Sequence, residues 1–243
     1  MTLRPVGAMP LSGQIHRQLM DAILDGSLTG TLPSERELAE TFGANRHAVR
    51  EAIKRLQQGN LVEVNQGGAT RVLSIPEHAG LDLLPELIAG GGRPNADAAV
   101  GVLELRACIG ADAARLCAER SPAVGDQLLE LLPTESMADP ALAANNLAYW
   151  TALVAGTESL AYRLALNTLM AGLQATEDSP AAKDFLTVLR EESRRSADLA
   201  EIARAIGRGD AEAARDTASR LLHTSVTAVR AADAPSPGRG RRR

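Results

Sequence analysis

The chain has 243 residues and a formal net charge of −4; 45% of its residues are apolar and only 2% are aromatic. That is length enough for two domains, and an apolar set dominated by alanine and leucine favours helix over sheet, because these side chains lose little freedom in a helix. No uninterrupted run of about 18 apolar residues occurs, and no basic segment followed by an apolar core stands at the N-terminus, so a membrane span and a secretory signal are not expected and the chain reads as cytoplasmic.

In chain order, Ile15, Leu19, Ala22 and Ile23 share one face of a first predicted helix. Gly26 stands where a glycine cap would end it. Ser34 followed by Glu37 is a capping box, in which each residue serves the other's backbone N–H at a helix start. Leu38, Ala39 and Phe42 continue this short second helix, and Gly43 stops it. A third helix is predicted from Asn45 or Arg46, with Val49, Ala52, Ile53 and Leu56 on one side and Arg46, Arg50 and Lys54 on the other. Gly59 is placed at its end. Two short alternating segments follow, Leu61 to Val64 and Thr70 to Leu73, joined by a tight turn at Gln66-Gly67-Gly68. Helix, helix, short turn, helix and hairpin is the layout of a winged helix-turn-helix.

Pro76 opens the rest. From about Leu81 to Ala232 only helical patterns occur, enough for six or seven helices, with Ser121-Pro122 and Ser179-Pro180 read as helix starts. Cys108 and Cys117 form no C-x-x-C pair and are read as reduced, buried small hydrophobes. The predicted fold is mainly α: a winged helix-turn-helix over 1–75, an all-α helical bundle over 76–232 that binds an effector and dimerises, and a disordered basic tail over 233–243.

Charge is unevenly divided along this plan. Residues 1–73 carry eight basic and seven acidic side chains, whereas residues 74–232 carry fourteen basic and twenty-two acidic ones. An acidic body repels DNA, so contact with double-stranded DNA must be local to the N-terminal part or the tail. A recognition helix needs an apolar side to hold it and a basic side to enter the major groove, and residues 45–58 have both. An isolated basic face is more often a solvated surface; the surrounding helix-turn-helix order makes the DNA-reading face the better assignment. Arg46 and Arg50 offer the guanidinium fork that matches guanine O6 and N7, Asn45 and His47 lie beside them, and Arg36 flanks the groove. Gln66, Gly67 and Gly68 form a wing tip slim enough for the minor groove, with Arg71 near it.

The run LPSERELAETFGANRHAVREAIKRLQQGNLVEVNQGGATRV resembles the DNA-binding domain of the GntR family of bacterial regulators along its whole length. The resemblance implies that Arg36, Arg46 and Arg50 touch DNA, that the glycines near Gly67 approach the minor groove, and that the protein acts as a homodimer on a palindromic operator. Asn45 and His47 stand where serine or threonine is commoner, which sets this operator apart at those contacts.

The helical part resembles the FadR branch of that family. Many members hold a divalent metal on an acid and three histidines. The corresponding positions here are Asn146, Trp150, Leu199 and Leu221, a poor ligand set, so no metal or other cofactor is expected. The stretch SLAYRLALNTLMAGL from Ser159 and the late His223-Thr224-Ser225 are similar to the fatty-acid regulator of that branch. This implies a long-chain acyl-CoA effector, with Arg106, Asn167, His223 and Ser225 as polar groups around it. A small carboxylate effector, or a helical domain that only dimerises, are the alternatives. An enzyme is not expected: residues 74–243 hold one lysine, Lys183, and no glycine-rich phosphate loop or nucleophile-base set.

Overall fold

The computed structural model describes residues 10–65, 69–83, 96–174 and 180–233. The chain divides into two units, residues 1–93 and 94–243.

In the first unit, α1 (Leu11–Leu24) buries Ile15, Leu19, Met20 and Ile23. Its C-terminus turns at Gly26, whose φ of +76° suits glycine, and the Leu28 N–H closes on the Ala22 carbonyl at 2.8 Å. α2 (Glu35–Thr41) starts at the expected capping box: the Glu37 N–H donates to the Ser34 hydroxyl, and the Ser34 N–H donates to the Glu37 carboxylate at 2.8 Å. α3 (Arg46–Gln58) packs along α1 and buries Ala48, Val49, Ala52, Ile53 and Leu56. Full burial of a Val, Ile or Leu side chain is worth about 1.5–3 kcal/mol, so this one face fixes the helix's rotation about its axis. Gly59 follows α3 with φ −84°, and the left-handed residue is Asn60, at φ +54°. The chain reverses there because an Asn side chain tolerates that region.

β1 (Val62–Val64) and β2 (Thr70–Val72) pair antiparallel, with Glu63 opposite Arg71. The segment between α1 and α2 ties onto the hairpin: the Leu32 N–H donates to the Thr70 carbonyl at 2.8 Å and the Val72 N–H to the Gly30 carbonyl at 2.7 Å. A short α4 (Ile75–His78) and a single 3-10 turn (Leu81–Leu83) follow. Ile75, Ala79 and the buried Leu83 pack on the core of this unit. The first unit therefore runs past residue 75, because a long-range apolar contact at Leu83 recruits the segment after Pro76 that sequence reading placed in the second domain.

Among the described residues the second unit is seven helices: α5 (Ala96–Arg120), α6 (Val124–Glu130), α7 (Asp139–Gly156), α8 (Leu160–Gln174), α9 (Pro180–Arg194), α10 (Ser196–Gly207) and α11 (Ala211–Asp233). α11 lies along α5, α10 packs on α6 and α11, and α9 packs on α7. The core between them is alanine and leucine around one aromatic pair, Tyr149 and Trp150, whose rings meet edge to face with centroids 5.9 Å apart. Two local expectations change. Ser121 does not cap α6; the helix begins at Val124 after Ala123, which makes no side-chain cap, and the Ser121 hydroxyl donates to Glu158 instead. Cys117 is buried, but Cys108 is exposed, because its side of α5 faces solvent. The basic tail lies outside the described residues except Asp233, which ends α11. No helix among the described residues is long and apolar enough to cross a membrane.

α6 and α10 meet backbone to backbone. A Cβ at Gly125 would stand 2.6 Å from the Ala203 carbonyl oxygen and 2.6 Å from the Gly207 nitrogen. Helix backbones cannot yield locally as a flexible side chain does, so overpacking is costly here. Gly125→Ala is expected to destabilise the second unit by about 1–3 kcal/mol in urea unfolding followed by circular dichroism; an unchanged midpoint would mean that the two helices are not in backbone contact.

Candidate nucleic-acid interface and interior cleft

The face of α3 opposite its buried side is Arg46, His47, Arg50 and Lys54, all exposed. The position of this face is set by the helix start. Asn45 is the N-cap, its Oδ1 accepting from the Ala48 N–H at 2.8 Å, which leaves its amide NH2 group to donate to an outside partner. Arg50 is held by Glu35 of α2: its Nε donates to Oε1 at 3.1 Å and its second terminal nitrogen to Oε2 at 2.9 Å. This side-on pairing leaves the end-on edge of the guanidinium free, the edge that suits guanine O6 and N7. The bonds from Arg50 hold the Glu35 carboxyl below its ordinary range. Arg36, on the exposed side of α2, pairs with Glu40 one turn on at 3.1 Å. Both pairs are largely solvated and add little stability; their effect is to orient the arginines. Arg71 is exposed on β2. The wing-tip candidates Gln66, Gly67 and Gly68 lie outside the described residues.

The second unit contains a small cleft between α5, α7, α8, α9 and α11, with a cavity volume of about 40 Å³. Its walls are mostly apolar, with Leu166, Leu169, Phe185 and Leu189 facing Trp150, and its polar lining is Arg106, Asn146, Trp150 and Tyr162. At one side of it a single buried carboxylate gathers four helices. Arg106 donates to both oxygens of Glu192, at 2.7 and 2.8 Å. Ser225 donates to Oε1 at 2.8 Å, and the Asn146 amide approaches Oε2 at 3.4 Å. The Glu192 side chain is 1% exposed and that of Arg106 13%. The Arg106 guanidinium also lies over the Trp150 ring, 5.5 Å from its centroid. Tyr162 donates to Asp112, and burial together with that carboxylate pushes its hydroxyl up to about 12.

Of the four effector candidates read from sequence, the structure brings Arg106 and Ser225 together on Glu192. Asn167 and His223 are exposed and do not line the cleft; His223 Nδ1 sits 2.9 Å from the Ser219 carbonyl on its own helix. Asn146, Trp150, Leu199 and Leu221 are all buried. Among the described residues no group of three His, Cys, Asp or Glu is arranged to hold a metal ion. Sequence reading missed Glu35, Glu192 and the cleft role of Trp150. Glu192 had a signal, since it falls on the apolar stripe Phe185, Val188, Leu189, Glu192, where a lone acid requires a buried partner.

Residues 11–72, α1 through β2, match the model of the family described as bacterial regulatory proteins, gntR family. The HTH-type transcriptional regulator Mce2R of Mycobacterium tuberculosis is 34% identical over 238 residues, 95% of this chain and 96% of its own length. The chain belongs to the GntR family. It is a DNA-binding transcription regulator and not an enzyme. The fatty acid metabolism regulator protein of Pasteurella multocida is 40% identical over 57 residues, 24% of each chain. The solved structure of Lar, described as controlling expression of the Listeria monocytogenes agr system, superposes with a TM-score of 0.58 at 16% identity, covering 93% of this chain and 99% of that one. At that identity the likeness is one of fold: a GntR helix-turn-helix followed by an all-helical region.

The Glu192 cluster is the feature of this regulator most open to a stability test. Glu192→Ala leaves Arg106 buried without its carboxylate and is expected to cost about 3–5 kcal/mol in urea unfolding. The double replacement Arg106→Met with Glu192→Leu removes both charges and is expected to cost less than Glu192→Ala alone. A double replacement that costs as much as Glu192→Ala or more would contradict a coupled pair.

Proposed function

We propose that this GntR-family protein is a ligand-responsive regulator that reads a palindromic operator as a homodimer. α3 enters the major groove, Arg46 and Arg50 meet base edges, and Asn45 and His47 contact the groove at the helix start. Arg36 holds the backbone at the groove edge, and the wing tip at Gln66, Gly67 and Gly68 approaches the minor groove. The observation that carries this reading is the α3 face itself: an exposed basic row on a helix whose opposite face is fully committed to the core, with Arg50 fixed by Glu35 so that its end-on edge points away from its partner. The acidic second unit makes DNA contact elsewhere unfavourable. The protein works in the cytoplasm, beside its operator.

For the second unit, the apolar cleft supports an effector with a long hydrocarbon body, the class to which the expected acyl-CoA belongs. A lining this apolar suits a hydrocarbon better than a small polyanion, which needs an unpaired cation or a metal. Occupation of the cleft by an effector shifts the balance between two arrangements of the dimer and thereby its operator affinity.

Arg50→Ala is expected to weaken operator binding by about 1–3 kcal/mol and to relax preference at one base pair, read by gel shift against operators varied base by base. Unchanged affinity would rule out α3 as the reading helix.

A further inference from the structure

The pair between Arg50 and Glu35 does little for the fold. Its side chains are 67% and 37% exposed, and an ion pair so well solvated adds little stability. It stands instead on the surface that the proposed reading turns towards DNA, where a carboxylate repels phosphate. Glu35 is nevertheless held there firmly. It is the first residue of α2, whose start is fixed by the capping box of Ser34 and Glu37. Its two oxygens accept from Nε and from one terminal nitrogen of Arg50 at 3.1 and 2.9 Å. The bonds from Arg50 hold its carboxyl low, and the charges of Arg50 and Arg46 add to that, so it is an anion within electrostatic reach of both arginines.

A pinned arginine and a loose one meet DNA differently. A loose guanidinium swings to whichever phosphate is nearest, on any sequence. The two bonds to Glu35 use two of the five N–H donors of Arg50 and leave its end-on edge whole. That edge then points in one direction, and it gains a bidentate contact only where a guanine stands. The carboxylate meanwhile adds a repulsion that is the same on every sequence. A general penalty joined to a contact that only the correct base supplies is how a binding surface discriminates.

We infer that Glu35 is a specificity-determining residue, which weakens binding to DNA in general and withholds Arg50 from phosphates, so that binding is strong only where Arg50 meets its guanine. This rests on α3 being the reading helix and adds how that helix tells its operator from other DNA.

The test uses the full chain, an operator selected from random-sequence duplexes by the wild-type protein, and a scrambled duplex of the same length and base composition. Affinities are measured by fluorescence anisotropy over a series of potassium chloride concentrations. Glu35→Gln removes the charge and one of the two acceptors. In this variant Arg50 is released to a phosphate, and on the scrambled duplex the slope of log affinity against log salt is expected to steepen by about 0.9. One added phosphate contact at about 0.15 M salt corresponds to an affinity about fivefold higher. On the operator the lost repulsion and the lost orientation oppose each other, so affinity there is expected to change by about twofold or less and the ratio of the two affinities to fall. In an Arg50→Ala background, Glu35→Gln is expected to leave the scrambled-duplex slope unchanged, since no guanidinium is released.

An operator-to-scrambled ratio in Glu35→Gln equal to that of the wild type would overturn the inference, as would a steepening that persists without Arg50. Arg50→Ala alone separates this from failure of the reading itself. If it leaves operator affinity unchanged, α3 is not the reading helix and both fall. If it weakens the operator while Glu35→Gln keeps the wild-type ratio, the reading stands and only the role of Glu35 falls.

Discussion

The first unit depends on α3 serving two environments at once. Val49, Ala52, Ile53 and Leu56 turn one side of the helix into the core, and that burial leaves the helix no freedom to rotate. The Asn45 cap then fixes where the helix begins, and with it the direction in which Arg46, His47 and Arg50 project. α1 supplies the surface against which α3 packs, and α2 supplies Glu35, which holds Arg50 from the side. The hairpin follows directly from the reversal at Asn60 and is stitched to the 30–32 segment, so helix and wing are positioned by one small core.

The second unit solves a different problem. An alanine-leucine bundle packs closely, as the backbone contact at Gly125 shows, and specifies its arrangement weakly, because its side chains are alike in size. Glu192 supplies directional bonds that such a core lacks. One carboxylate joins α5, α7, α9 and α11 through Arg106, Asn146 and Ser225. The same carboxylate neutralises the cation that borders the cleft and orients the Asn146 amide. The packing of four helices and the polar lining of the cleft therefore meet at a single residue.

What could be read from sequence was local. The capping box at Ser34 and Glu37, the amphipathic spacing of α3 and the paired alternating segments each involve residues a few positions apart, and their chemistry survives without a tertiary context. Several misreadings turn on distant partners or on packing. Ser121 looked like a cap but bonds to Glu158, 37 residues away. Leu83 joins the first core across a segment that composition assigns to the second domain. Cys108 and Cys117 share one helix, and only packing decides which faces solvent. Arg106 and Ser225 were chosen through a family likeness, and their common partner Glu192, 86 and 33 residues away, was not visible until the helices were folded together.

The central claim, that the exposed side of α3 reads DNA while the acidic unit stays clear of it, is tested most directly by placing a photo-crosslinking residue in turn at His47 and at the exposed Glu201 of α10, and irradiating the protein on its operator. The expected result is a crosslink from position 47 to a base inside one half-site and none from position 201. Capture of DNA from position 201, with none from position 47, would contradict the account.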